Sequence, residues 1–232
     1  VYPEDSVQYL VEPTWWTKDT GKTLHRGRLI WAFIPITDQV PIKLTVTGRC
    51  EPTEHQSAMV KLEPMRIGDR QKKTTLPVAA IPQYDNEERG VYRVKRRPAI
   101  IVGDCNEEIP NEVILGKSKR HTAPMILVAP AFGCDVGKGR DGYNPSFVDL
   151  VRRCHFPQFF WDKLPLAGAS ESIIRLDQIQ PIGRHHDAAE ATEYCLTPEA
   201  MTVFDTWLHW YFYGTIPDDG ILALVKEAMN NL

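Results

Sequence analysis

Proline punctuates this chain, and the stretches left between prolines are short. There are 18 prolines in 232 residues, above the usual ~5 per cent. Each one fixes φ and removes a backbone donor, which disfavours long helices and long central strands alike. The apolar runs are correspondingly brief. Gly27 to Ile34 is closed by Pro35, Ala99 to Val102 follows Pro98, and Met125 to Ala129 lies between Pro124 and Pro130. Runs of this length bounded by turn residues predict buried strands. With a further strand around the apolar run at Ser172, strands near 28–35, 97–103, 125–130 and 172–180 are expected in one curved antiparallel sheet.

Between Pro41 and Gly90 the pattern changes. Ile42, Leu44 and Val46 alternate with Lys43, Thr45 and Thr47, and Ser57 to Glu63 and Leu76 to Ile81 read as further strands. The cations Arg66, Arg70, Lys72 and Lys73 fall in this stretch. They suit a solvated loop, or a basic rim over a polyanion. Phe147 to Leu150 fits a strand or one helical turn, and the aromatic stretch Phe156 to Leu166 predicts core packing. Helix is signalled only late. Thr197 is a good N-cap with Pro198 at the first helical position and Glu199 at the positive end of the dipole. Val203, Phe204, Trp207, Leu208 and Tyr211 then recur at helical spacing until Gly214. A last helix is expected from about 219 to 229, capped by Asp218 or Asp219. The organisation expected is an N-terminal arm (1–26) bearing Trp15 and Trp16, a main domain (27–213) with an insertion at about 37–90, and a C-terminal helix (214–232).

Net charge is −3, so any nucleic-acid surface has to be local. Cys50, Cys105, Cys134, Cys154 and Cys195 are odd in number and contain no Cys-x-x-Cys pair, which reads as free thiols in a reducing cytoplasm. The N-terminus has no basic stretch followed by an apolar run, so no secretory signal is expected. The longest apolar stretch, Ala123 to Cys134, falls well short of the roughly 20 residues of a membrane helix, and no membrane association is expected.

The stretch Ser172 to Ile182 places charge inside an apparent strand. Alternation would put Arg175 and Asp177 on one face. A guanidinium and a carboxylate held together suit phosphate chemistry, where one forks onto phosphate oxygens and the other accepts a proton. They equally describe an inert surface ion pair. Among the histidines, His121, His155, His185 and His186 stand next to basic or apolar residues, and His155 is the first to test. No His or Cys pair has zinc-ligand spacing along the chain apart from the adjacent His185 and His186, so neither metal nor cofactor is assigned.

The order of these segments resembles the MazF/PemK family of toxin endoribonucleases. That family opens with Gly-Asp-apolar-apolar-Trp, similar to Gly27-Arg28-Leu29-Ile30-Trp31, followed by Arg-Pro and an apolar strand, as in Arg97-Pro98-Ala99-Ile100-Ile101-Val102. A Val-Ala-Pro-apolar-Thr segment corresponds to Val128-Ala129-Pro130-Ala131-Phe132. Asp-Gln-apolar corresponds to Asp177-Gln178-Ile179, with Arg175 two residues before the Asp as in the PemK/Kid branch. Leu-Ser/Thr-x-Glu at the last core helix corresponds to Leu196-Thr197-Pro198-Glu199. The resemblance covers residues 27 to 36 and 91 to 213. It departs at Arg28, at the long 37–90 segment, and at Phe132, where the family carries its catalytic Thr.

The resemblance implies a small SH3-like barrel of the MazF/PemK/CcdB type, mainly β with C-terminal helices and with inserted strands and loops. It implies a cytoplasmic homodimer, a toxin of a toxin–antitoxin system countered by an antitoxin protein. The activity implied is metal-independent cleavage of single-stranded RNA through 2′-hydroxyl attack. Arg97 would stabilise the phosphoryl oxygens, Asp177 would act as base, and Arg175 would donate to the leaving or an equatorial oxygen. Because arginine stays protonated, it serves better as a clamp than as an acid. Lys95, Arg96, Gln178 and His155 are the residues expected to bind RNA. The hydroxyl missing at Phe132 would have to come from a nearby Ser, Tyr or His, or be dispensed with. Two other readings use the same fold: a non-catalytic module binding RNA, DNA or a protein, which Phe132 favours, and an interaction subunit docking a partner through the insertion.

Overall fold

The computed structural model describes residues 2–11, 14–37, 40–68, 87–104, 107, 109–117, 122–137, 141–168, 171–184, 187–217 and 221–230, the side chains of 228–230 excepted. The described chain forms two compact units. One is Ile34–Lys95, against an expected insertion at about 37–90; the other is Val1–Phe33 with Arg96–Leu232.

In chain order the strands are β1 (Trp16–Lys18), β2 (Arg28–Pro35), β3 (Ile42–Gly48), β4 (Met59–Pro64), β5 (Arg89–Val91), β6 (Val94–Gly103), β7 (Met125–Gly133), β8 (Phe159–Asp162), β9 (Ser172–Arg175), β10 (Gln180–Gly183) and β11 (Ala189–Leu196). The helices are α1 (Asn111–Ile114), α2 (Pro145–Arg152), α3 (Pro198–Tyr213) and α4 (Ile221–Asn230). The fold is therefore mainly β and antiparallel, with helices concentrated at the C-terminus. The main sheet has the order β1-β11-β2-β6-β7-β9-β8, with β10 also paired to β7. The smaller unit carries a separate sheet, β4-β3-β5. Leu76 to Ile81, with Arg70, Lys72 and Lys73, lies outside the described residues. No helix among the described residues is long and apolar enough to cross a membrane. Cys50, Cys134, Cys154 and Cys195 are free thiols, and Cys105 lies outside the described residues.

The main sheet is packed on both faces, because its central strands are apolar in both registers. On one face Leu29, Ile100, Ala129, Ala131, Phe160 and Ile174 meet Ala200, Val203, Phe204 and Trp207 of α3 and Leu222 and Val225 of α4. Phe160 sits edge-to-face with Phe204 at 5.1 Å and Trp207 at 4.8 Å, contacts worth about 0.5–1.5 kcal/mol each beyond their buried area. The stretch predicted as aromatic core is core: Phe160, Trp161 and Leu164 are buried. Helix α3 begins as its sequence requires, with Thr197 accepting from the Ala200 amide at 3.2 Å, and ends at Gly214 in the left-handed region.

Phe147 to Leu150 belongs to a full two-turn helix, α2, because Asn144 caps it by accepting from the Ser146 amide at 2.9 Å and Pro145 occupies its first turn. On the second face of the sheet, Val148 and Val151 of α2 pack with Cys134, Trp161 and Ile173. The N-terminal arm is tied into the body. β1 pairs with β11, and Tyr2, Trp15 and Trp16 all donate hydrogen bonds to the buried Asp162 carboxylate.

Ser172 to Ile182 departs from the expected single strand. From the Ala131–Ile174 pair to the Val128–Gln180 pair, β7 advances three residues and its partner six. The three surplus residues are accommodated by a 3-10 turn, Leu176–Gln178, a local bulge that re-aims the chain.

Candidate functional site

On the second sheet face two strands deliver the arginines, and the strand between them delivers the ring over which both lie. Arg97 of β6 stacks over the Phe132 ring of β7, with Cζ 3.9 Å from the ring centroid. Arg175, the last residue of β9, stands 5.8 Å from the same ring and 5.0 Å from that of Phe159 on β8, its cross-strand partner. Guanidiniums lie favourably over ring faces, because the π-quadrupole is negative there. Phe132 thus gathers two cations that would otherwise repel.

Asp177 joins them by a route different from strand alternation. The 3-10 turn carries its carboxylate back onto Arg175, which donates from Nε to Oδ1 at 2.7 Å and from Nη2 to Oδ2 at 2.6 Å. The fork-on-carboxylate geometry is the strong, oriented form of the ion pair. Arg175 is 23% and Asp177 31% exposed, so the pair is reachable from solvent. Hydrogen bonding to Asp177 is the main reason that the Arg175 guanidinium is held even more firmly protonated than usual. Each Asp177 oxygen retains a second lone pair for another donor.

Below Arg175 lies an aromatic cluster that fixes the site's floor. Phe159 packs edge-on to Phe147 at 5.3 Å and to Phe156 at 6.2 Å, and Tyr143 stacks on Phe147 at 5.7 Å. Tyr143 shares a hydrogen bond with Arg175 and feels the charge of both Arg175 and Arg97. Burial nevertheless dominates and raises its pKa, so the phenol stays protonated at neutral pH. Its backbone is anchored too: the Tyr143 amide donates to the Cys134 carbonyl at 3.0 Å. Gly142 before it has φ +67°, and a Cβ there would come within 2.8 Å of that carbonyl, so only glycine closes this loop without strain.

The remaining expected RNA-binding residues are distributed differently. Arg96 points away from Arg97, because neighbours alternate along a strand. It stacks over Trp31 at 4.4 Å and donates to Glu190 at 2.5 Å. Lys95 is an exposed residue of β6 within the smaller unit. Gln178 is half-buried in the 3-10 turn beside Asp177. His155 is exposed, its ring 6.3 Å from that of Phe156, which places it at the margin of the aromatic floor. His121, His185 and His186 lie outside the described residues. Tyr143 and Phe159 are the members that sequence reasoning did not single out. Neither belongs to a charged motif, and only the pairing of β8 with β9 and the closure at Gly142 bring them to the arginines.

The sequence matches no protein-family model and no curated protein.

A second polar cluster forms where the resemblance has an Asp and this chain has Arg28. Asp19, His25 and Cys195 offer an oxygen, a nitrogen and a sulfur within 4.8 Å of one another, a donor set of the type transition metals take. Sequence spacing could not reveal it, since Cys195 lies 170 positions from His25. These residues do not suit a cation. The Arg28 guanidinium donates to both Asp19 and His25, so the space between them already holds a positive charge. Burial also raises the Cys195 thiol's pKa and keeps it protonated.

Proposed function

We propose that the chain is a metal-independent endoribonuclease of the toxin–antitoxin type, cleaving single-stranded RNA by 2′-hydroxyl attack. The observation that carries this reading is the meeting of Arg97 and Arg175 on one Phe132 ring with Asp177 forked onto Arg175. Transesterification needs cations where the phosphorane develops charge and a base beside the 2′-hydroxyl. Two oriented guanidiniums and a partly exposed carboxylate meet the first two requirements. Arg97 and Arg175 clamp the non-bridging oxygens, and an outward lone pair of Asp177 takes the 2′ proton.

With this activity go the rest of the MazF/PemK-like features: an SH3-like barrel at the centre of the sheet, a homodimer, and an antitoxin protein covering the site. The test is purified protein incubated with end-labelled RNA in excess EDTA. Cleavage yielding 2′,3′-cyclic phosphate and 5′-hydroxyl ends supports the reading, and intact RNA over a range of sequences overturns it.

A second reading is favoured by one residue. Phe132 puts a ring where the resemblance puts a hydroxyl, and a ring between guanidiniums also serves as a stacking platform for a base. On that reading the same groove binds RNA, DNA or a protein without cutting, and retention of labelled RNA uncut would be the outcome.

A further inference from the structure

Cleavage by 2′-hydroxyl attack has a third requirement that neither arginine nor Asp177 meets. As the P–O5′ bond breaks, the leaving oxygen needs a proton, and a guanidinium, which does not deprotonate in proteins, is a poor source. Asp177 is engaged on the other side of the reaction. Phe132 has no proton to give.

Tyr143 does. Arginine has only donors, so the hydrogen bond that joins Arg175 and Tyr143 runs from a guanidinium N–H to the phenolic oxygen. The hydroxyl's own proton therefore lies outside that bond. Meanwhile the donated hydrogen bond, and the charge of Arg97, stabilise the phenolate that giving up the proton would leave. The ring is held by its stack on Phe147, and the backbone by the Tyr143–Cys134 bond across Gly142. This is a positioned hydroxyl next to a phosphate clamp.

We propose, resting on the endoribonuclease reading, that Tyr143 is the catalytic proton donor to the leaving 5′-oxygen, replacing the hydroxyl that Phe132 lacks. In the step, the 2′-hydroxyl gives its proton to Asp177 and its oxygen forms the new P–O2′ bond. The P–O5′ bond breaks, its electron pair goes to O5′, and the Tyr143 proton follows. The products are a 2′,3′-cyclic phosphate and a 5′-hydroxyl; the phenolate and the carboxylic acid are restored by proton exchange with water.

The test pairs Tyr143→Phe, which keeps the ring and its stack, with two substrates: an ordinary RNA and the same RNA carrying a 5′-bridging phosphorothiolate at the cleaved linkage. A thiolate leaves without a proton. Tyr143→Phe is expected to slow cleavage of ordinary RNA by about 10²-fold or more and to cleave the phosphorothiolate within a few-fold of wild type. An equal loss on both substrates would make Tyr143 a positioning residue, and no loss on ordinary RNA would remove it from the reaction; either overturns the proposal while leaving the endoribonuclease reading standing. Wild type inert on both substrates overturns both. If the variant does not fold, wild-type pH–rate profiles decide. The alkaline limb from loss of the phenolic proton is expected with ordinary RNA and absent with the phosphorothiolate, and identical limbs refute the assignment.

Discussion

Two of the arginine–carboxylate pairs at the main sheet differ in character. Arg28 is fully buried and spends all five N–H groups inside the protein: Nε on the Thr23 carbonyl, Nη1 on the carbonyls of Asp19 and Thr192, and Nη2 on the Asp19 carboxylate and His25. A bulge between Ala191 and Cys195 in the pairing of β11 with β2 supplies the Thr192 carbonyl. Arg175 commits two N–H groups to Asp177 and shares Tyr143. Among the described residues this leaves it donor capacity for a ligand, over a floor of aromatic rings. A saturated guanidinium is a structural hub; an unsaturated one on an aromatic platform is open to a ligand. Sequence alone makes the two look alike.

The sharpest way to break this comparison is to remove the hub. Arg28→Met strands the carbonyls of Asp19, Thr23 and Thr192 around an apolar side chain, and it is expected to cost about 3–5 kcal/mol. In a chain of this size that is roughly a 10 °C fall in melting temperature. Arg175→Met should barely move the melting curve. Thermal denaturation showing equal losses would erase the distinction.

Asp162 sharpens the comparison from the other side, as a buried carboxylate whose hydrogen-bond donors, the side chains of Tyr2, Trp15 and Trp16 and the Lys163 amide, are all neutral. Burial pushes its pKa from 3.8 up to about 7, against the lowering effect of those hydrogen bonds. Because the folded value exceeds the unfolded one, its contribution to stability is full below about pH 3.8 and is lost as pH rises through about 7. The expected loss between these limits is a few kcal/mol. Asp162→Asn should flatten this part of the pH–stability curve. A wild-type melting temperature that climbs steadily from pH 4 to 7, with no difference in slope from the variant, would contradict this.

At the exposed pair the expected effects fall on function. Asp177→Asn keeps the volume and most hydrogen bonding but removes the proposed base. On the endoribonuclease proposal cleavage should drop about 10²-fold or more, with a stability change of about 0–1 kcal/mol. Normal cleavage by this variant would return the pair to the status of surface ornament. Phe132→Thr is the smallest test, since it removes the ring over which both guanidiniums lie and adds a hydroxyl whose role Tyr143 is proposed to fill: cleavage is expected to fall by about tenfold or less, and a gain would count against Tyr143 as the replacement.

The fold was legible in part from the amino-acid pattern, which did not signal β1, β8 or β11 as strands. Short apolar runs between prolines, and the Thr197-Pro198-Glu199 cap, carry their own local geometry, and the strands so signalled and α3 form where those signals lie. The convergence of Arg97 with Arg175 and Asp177 was an expectation from motif order, yet the route was hidden. Asp177 reaches Arg175 through a three-residue surplus against β7, and such a surplus depends on where both strands pair, not on either strand's own residues. The opposite facing of Arg96 and Arg97 follows from strand alternation, but which of them meets Phe132 depends on which face each helix covers. Burial of Arg28, the neutral shell of Asp162 and the approach of Tyr143 depend on contacts between residues up to 164 positions apart for Arg28, and about 150 apart for Asp162. Local sequence determines how a segment bends and which side of it is apolar; which polar groups meet across the sheet is decided only when those segments are packed together.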